Sequence, residues 1–268
     1  MDRAPESTAG RVLVVEDNPV NQKITRRVLE RAGYTVDVVP NGRAALAAVA
    51  KSRYLVVLMD CRLEDIDGPE TARRIRALPE PASRVPIVAC TGTLGVGDEE
   101  RCRAAGMNGY LAKPFEPAQL LETIARFATP GAEGGPAPAR APRAKAEAST
   151  AVDADVLEML SKVASLKKGA SVISILDLYL RDAPARVARI TELASAGDSA
   201  GLAQAAHSLK SSSATLGARR LAALCAELEL HPDMGAAQAR HLTARIAEEW
   251  LAVRAEMYSA RQRLKTRS

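Results

Sequence analysis

Between residues 11 and 128, short apolar runs alternate with stretches whose apolar residues recur every three or four positions. The runs RVLVV, YTVDVV, YLVVLM, PIVAC and NGYLA have strand length, and most of them are rich in β-branched or aromatic residues. The segments PVNQKITRRVLERAG, NGRAALAAVA, DGPETARRIRALP, VGDEERCRAAG and EPAQLLETIARFA keep a helical period. Five strands alternating with five helices predict a doubly wound parallel α/β sheet covered by helices on both faces. Local punctuation agrees: Asn18-Pro19 and Glu116-Pro117 set proline at a first helical position, while Gly33 and Gly106 stand where helices should stop.

The pattern then changes twice. Residues 129–152 are rich in Pro, Ala and Gly with no apolar period, too little to bury against chain entropy, and predict a flexible tether. Such a linker has an end-to-end distance of roughly 25 to 30 Å and holds what it joins at millimolar-range effective concentration. Residues 153–264 lose the strand-like runs and read as about five helices with Leu, Ala, Val and Ile at helical spacing, a small bundle. The predicted class is therefore α/β followed by all-α, in two domains.

A chain that is 47% hydrophobic, 26% charged and 3% aromatic builds such cores from aliphatic side chains and is not disordered throughout. The net charge of +5 raises the question of nucleic acid, but Lys and Arg are scattered among acids without interleaved aromatics, so no nucleic-acid partner is expected. Cys61, Cys90, Cys102 and Cys225 form no C-x-x-C pair and have no histidine at metal-ligand spacing, which predicts reduced thiols in a cytoplasmic protein. The longest apolar run, residues 54–59, is too short to cross a bilayer, and no membrane insertion is expected.

Candidate chemistry collects at the ends of four predicted strands: Glu16 and Asp17 after RVLVV, Asp60 after YLVVLM, Thr91 after PIVAC, and Lys113 just after NGYLA. In a parallel sheet these ends share one edge, and with strand order 2-1-3-4-5 the first and third strands flank the topological switch point, setting Asp17 across from Asp60. Three carboxylates so close repel one another unless they recruit a small hard cation, and oxygen-only ligands favour Mg²⁺. A phosphoryl group can then transfer to Asp60 by in-line displacement, with Lys113 and Thr91 holding its oxygens.

The strings VVEDNPVNQ, VVLMDCRLEDIDG, Thr91-Gly92 and YLAKPF together resemble a response-regulator receiver domain of the type attached to hybrid sensor kinases, over residues 11–128. The resemblance implies a flavodoxin-like sheet, Glu16 and Asp17 as the acidic pair serving Mg²⁺, and Asp60 as phosphoacceptor. It further implies Thr91 as switch hydroxyl, Lys113 as the phosphate-sensing lysine, and a third metal contact from the Arg62 backbone carbonyl. Tyr110 matches the aromatic whose ring moves inward when the threonine engages the phosphoryl group. One departure stands out: Glu64 occupies the position, four after the acceptor, where most relatives carry proline, so the rigidity of this loop needs another source.

In GLAQAAHSLKSSSATLGA, an advance of about 100° per residue sets Leu202, Ala206, Leu209, Ser213 and Leu216 on one core-facing stripe. His207 falls roughly 140° from Leu202 on that wheel, which predicts an exposed imidazole flanked by Ala203, Lys210, Ser211 and Ala214. Small neighbours let another protein's crevice approach the ring, and Lys210 is placed to steady phosphoryl charge. The string AHSLKSSSATLGA resembles the histidine-phosphotransfer (HPt) signature, over residues 153–264, which implies His207 as the phosphorylated residue with Lys210 and Gly217 at the matching offsets; Ser211 replaces a common glycine. His231 and His241 read as surface residues.

The two resemblances imply a bacterial-type phosphorelay intermediate: Asp60 accepts a phosphoryl group from a sensor histidine kinase, passes it to His207, and His207 donates it to a downstream response regulator. No glycine-rich ATP lid or P-loop lysine motif is present, so the donor lies elsewhere, in a separate kinase or in a longer parent polypeptide. Two other classes compete. An aspartate-nucleophile phosphatase with a helical cap wants a second carboxylate two residues after the nucleophile, where Arg62 stands, and an unphosphorylated docking scaffold needs neither Asp60 nor His207.

Overall fold

The computed structural model describes residues 10–63, 65–92, 98–128, 151–164, 172–231 and 234–266. The chain divides into two compact units, Met1–Arg143 and Ala144–Ser268.

The first unit alternates strand and helix as its apolar pattern predicts: β1 (Arg11–Val15), α1 (Pro19–Arg31), β2 (Thr35–Val39), α2 (Gly42–Lys51), β3 (Val56–Asp60), α3 (Gly68–Arg76), β4 (Ile87–Thr91), α4 (Asp98–Ala104), β5 (Gly109–Ala112) and α5 (Pro117–Ala128). All four strand pairings are parallel and the order is β2-β1-β3-β4-β5. Every residue of β3 and β4 is buried, because helices cover both faces of a central parallel strand; the edge strands β2 and β5 are only partly buried. That is why VVLM and IVAC are unbroken apolar runs whereas TVDVV admits an aspartate. Helix α1 starts where Asn18 accepts a hydrogen bond from the Val20 amide and Pro19 occupies the first turn, and it is followed by Gly33 at φ +92.

The loop that leaves β3 is tied down from two directions. Asp65 accepts from the backbone N–H groups of Gly42 (2.9 Å) and Arg43 (3.0 Å) at the start of α2, and Gly68 N–H donates to the Cys61 carbonyl. A Cβ on Gly68 would lie 2.3 Å from the Asp60 carbonyl oxygen, so only glycine lets α3 start so close to the end of β3. The substituted position itself, Glu64, lies outside the described residues.

The second unit is a helical bundle: α6 (Ala154–Ala164), α7 (Val172–Ala196), α8 (Ser199–Thr215), α9 (Arg219–Leu230) and α10 (Ala236–Thr266). Helix α8 packs against both α7 and α9, and α10 closes the bundle against the same two helices. The predicted stripe Leu202, Ala206, Leu209, Ser213 and Leu216 is buried. Its one polar member is satisfied, since Ser213 Oγ lies 2.8 Å from the Tyr179 hydroxyl, and the Tyr179 ring meets Trp250 edge to face at 5.5 Å. Gly217 ends α8 at φ +81, with the Ala218 amide bonded back to the Ser213 carbonyl.

The expected tether lies outside the described residues except for its last two. Ala151 and Val152 are buried in the bundle, and their amides donate to the two carboxylate oxygens of Glu256, each at 2.9 Å. These two residues thus belong to the bundle, because a carboxylate on α10 satisfies two main-chain donors that composition alone leaves unpaired.

Candidate functional site

The parallel sheet delivers its strand ends to one edge, and there the predicted carboxylates meet. Glu16 and Asp17 follow β1 and Asp60 is the last residue of β3; each offers an oxygen, and these oxygens lie within 4.8 Å of one another. Asp60 is 2% exposed and Glu16 4%. Lys113, just beyond β5, bridges them, with Nζ 2.6 Å from Asp60 Oδ2 and 2.5 Å from Glu16 Oε2. The Arg62 amide donates to the other Asp60 oxygen at 3.0 Å.

Three carboxylates thus converge on one sheet edge, two of them paired with the Lys113 ammonium. Burial, with the Asp60 charge behind it, pushes the Glu16 carboxyl above its ordinary range, and the Lys113 ammonium only partly offsets this. Burial works against the Lys113 ammonium too, but the Asp60 and Glu16 carboxylates outweigh it and hold its pKa well above the usual value. A hard dication suits this donor set, which is all oxygen and convergent.

Side chains on α1 hold Glu16 in place: Asn21 Nδ2 donates to Glu16 Oε1 at 3.1 Å, and Gln22 Nε2 donates to the Glu16 carbonyl at 2.6 Å. Sequence reasoning missed both roles, although VVEDNPVNQ contains the signal: amides five and six residues after the acid, on the first turn of the helix that leaves it. Thr91 ends β4, one position beyond the residue that pairs with Asp60, and Lys113 N–H donates to its carbonyl. Tyr110 on β5 is half-buried; partial burial and the Glu99 carboxylate of α4 raise its hydroxyl pKa.

The second predicted site differs from expectation. His207 is 4% exposed, not presented to solvent, with Nδ1 2.8 Å from Glu229 Oε1 on α9; Nε2 is buried without a hydrogen-bond partner. The wheel assigned α8 a single buried stripe, but α8 lies between α7 and α9, and residues 206–213 are buried all round. The face bearing Ala, Ser and Lys is covered too. Lys210 is likewise buried and pairs with the other Glu229 oxygen. His231 and His241 are exposed, as expected.

Glu229 is the residue sequence reasoning missed. Burial alone would raise its pKa, but the hydrogen bond and charge of His207, then those of Lys210, overcome it and hold the carboxyl at about 2. An ionised Glu229 accepts from Nδ1–H, so in the neutral form of the ring the lone pair stands on Nε2. The signal in AELEL was a glutamate on the otherwise apolar buried face of α9, where a buried charge demands partners.

Residues 12–125 match the family described as response regulator receiver domain, and residues 174–263 match the Hpt domain. The polar-differentiation response regulator DivK of Brucella anthropi is 34% identical over 116 residues, covering 43% of this chain and 94% of that protein. Hybrid signal transduction histidine kinase B of Dictyostelium discoideum is 39% identical over 121 residues, 41% of this chain. The chain spans only 6% of that kinase's length, and 8% of hybrid kinase L of the same organism. Among solved structures, the receiver domain of sensor histidine kinase PA1611 from Pseudomonas aeruginosa PAO1, described with a magnesium ion coordinated in its active site cleft, is 45% identical. It covers 45% of this chain and 98% of that one, with a TM-score of 0.43. Among the described residues no helix is long and apolar enough to cross a membrane.

Proposed function

We propose that this chain, which belongs to the response-regulator receiver family and carries an Hpt domain behind its receiver, moves a phosphoryl group from a histidine kinase through Asp60 to His207 and on to a downstream receiver. The observation that carries this reading is the convergence of Glu16, Asp17 and Asp60 on one sheet edge under Lys113.

In the first step an Asp60 carboxylate oxygen attacks phosphorus as the N–P bond of the donor phosphohistidine breaks. Lys113, already 2.6 Å from Asp60, stays within reach of the incoming oxygens, and the Thr91 hydroxyl is the second donor. Glu16, Asp17 and Asp60, with the Arg62 carbonyl, are the residues that would hold Mg²⁺, whose chemistry is to neutralise charge developing on the phosphoryl oxygens. Tyr110, flanked by Glu99 of α4, is the residue that would carry the change toward the α4 and β5 surface.

The second step imposes a condition. His207 Nε2 must reach phosphorus while the Asp60 O–P bond breaks, and in its buried position no receiver crevice can approach it. Transfer therefore requires the ring to turn away from Glu229, and Lys210 to exchange that carboxylate for phosphoryl oxygens. The same burial favours, as a second reading, a receiver that cycles alone while the bundle acts by docking.

Labelling with radioactive acetyl phosphate and Mg²⁺ separates these. The relay gives an acid-stable, base-labile pool lost in Asp60→Asn and an acid-labile, base-stable pool lost in both Asp60→Asn and His207→Gln. The docking reading gives only the first pool. Steady phosphate release from a small-molecule phosphate ester would instead mark a phosphatase, and an unlabelled chain would sink the acceptor assignment.

A further inference from the structure

We propose that Cys61 and Cys102 form a dithiol whose oxidation to a disulfide restrains the phosphoacceptor loop. The effect on phosphoryl uptake rests on the role of Asp60 given above; the disulfide itself does not. The two sulfurs lie 3.7 Å apart, although 41 positions separate them in sequence, and neither is in a disulfide. A disulfide has sulfurs about 2.05 Å apart, so closure needs a relative movement of roughly 1.7 Å. Cys61 is partly exposed and Cys102 lies buried on α4; the Cys102 hydrogen bond, burial and the Asp60 charge hold the Cys61 thiol pKa well above its ordinary value, so oxidation is slow and needs sustained peroxide.

The location gives closure its consequence. Cys61 follows Asp60 directly, and its backbone is held at both ends: its amide donates to the Cys90 carbonyl at 3.2 Å and its carbonyl accepts from Gly68 N–H at 3.0 Å. With that backbone pinned to β4 and α3, side-chain rotation and movement of α4 must supply the approach. Helix α4 also carries Glu99, the carboxylate beside Tyr110. A disulfide thus ties the segment after the acceptor to the helix that the receiver would have to shift.

The reaction balances with hydrogen peroxide as oxidant. The Cys61 sulfur attacks one peroxide oxygen, an S–O bond forms as O–O breaks, and one water leaves with the thiol proton, giving a sulfenic acid. The Cys102 sulfur then attacks Cys61 Sγ; S–S forms, S–O breaks, and the departing hydroxide takes the Cys102 proton as a second water. Two thiols are oxidised by two electrons and one peroxide is reduced to two waters.

The test treats the full chain with hydrogen peroxide, maps it by tryptic mass spectrometry, and measures labelling by acetyl phosphate before and after dithiothreitol. The expected result is a loss of two hydrogens, with the peptide of residues 54–62 joined to residues 102–103, absent in Cys102→Ser. A disulfide that holds α4 to the acceptor segment opposes the adjustment that aligns the reacting groups, a misalignment worth roughly tenfold or more in rate, so labelling should fall by that factor, recover with dithiothreitol, and resist peroxide in Cys102→Ser. Separate sulfinic acids, linkage of residue 61 to the peptide containing Cys90, or a cross-linked chain that labels normally would each overturn the proposal. A reduced chain that never labels while still cross-linking would sink the acceptor assignment and leave the dithiol standing.

Discussion

The receiver and the bundle each bury a candidate nucleophile against an opposite charge, yet they do so by different means. At the sheet edge, Asp60 is 2% exposed and its surroundings come from β1, β3, β4 and the segment after β5, gathered by topology. In the bundle, His207 is 4% exposed and shares the Glu229 carboxylate of the next helix with Lys210 of its own. The first site gathers three carboxylate oxygens, a donor set that suits a cation; the second sets Lys210 and the imidazole on a single carboxylate. A site built by sheet topology is poised for a ligand, whereas a site closed by a neighbouring helix must first be opened.

The largest effect that tests this contrast is Asp60→Asn. It should abolish phosphoryl label throughout the chain, because the proposed relay enters at Asp60, while His207→Gln should leave the aspartyl pool intact. Label on His207 in the Asp60→Asn chain would break the comparison. Next in size is Lys113→Ala, which leaves Glu16 and Asp60 buried without their ammonium. Losing one partner of a buried pair costs about 3 to 5 kcal/mol, and millimolar Mg²⁺ should restore part of it. Urea unfolding followed by hydrogen exchange at β1 and β3 amides reads this out; a loss that Mg²⁺ leaves unchanged would count against the cation site.

Acid separates the two regions by sign. Glu229 is held at about 2 against an ordinary 4.5, so its contribution is fully present above 4.5 and lost as pH falls toward 2, a change of about 2 to 3 kcal/mol at most. Glu16 is shifted the other way: between its raised pKa and 4.5 only the folded form takes up the proton, so its contribution grows as pH falls. Trp250, the one tryptophan, packs on Tyr179 in the bundle core and reports that unit by fluorescence. The stability difference between the natural chain and Glu229→Gln should shrink between pH 5 and pH 2; a constant difference would mean that Glu229 gains nothing from His207 and Lys210.

The same contrast explains what sequence made legible. Apolar runs such as VVLM and IVAC read directly as central strands, and once parallel, their ends had to share an edge, so Glu16, Asp17, Asp60 and Lys113 were found together without knowing any side-chain position. The wheel for α8 located the Leu202 stripe but misjudged His207, because Ala, Ser and Lys on the opposite face carry no apolar mark even though α9 covers them. Glu229 and the Glu256 clasp on Ala151 and Val152 went unseen for a related reason: both are polar partners chosen by tertiary approach, and no period in the chain announces them.

The smallest expected effect concerns the loop whose proline is replaced by Glu64. Its rigidity has a visible source one residue on, where Asp65 accepts from Gly42 and Arg43 N–H and so caps α2 from outside that helix, alongside Asn41, which accepts from Ala44 N–H. Backbone hydrogen bonds outweigh partial desolvation and hold the Asp65 carboxyl below its usual range, as a helix N-terminus does for an anion. Removing the carboxylate in Asp65→Ala should cost about 1 kcal/mol, the worth of one helix cap, whereas Asp65→Asn should keep most of it. Because the other end of this loop carries Asp60, the same Asp65→Ala chain should also lose its aspartyl phosphate faster, read as the decay of base-labile label after removal of acetyl phosphate. A chain that loses the stability but keeps the phosphoryl lifetime would show that Asp65 braces α2 alone, and that the geometry around Asp60 is set instead by Gly68 and the Cys61 backbone.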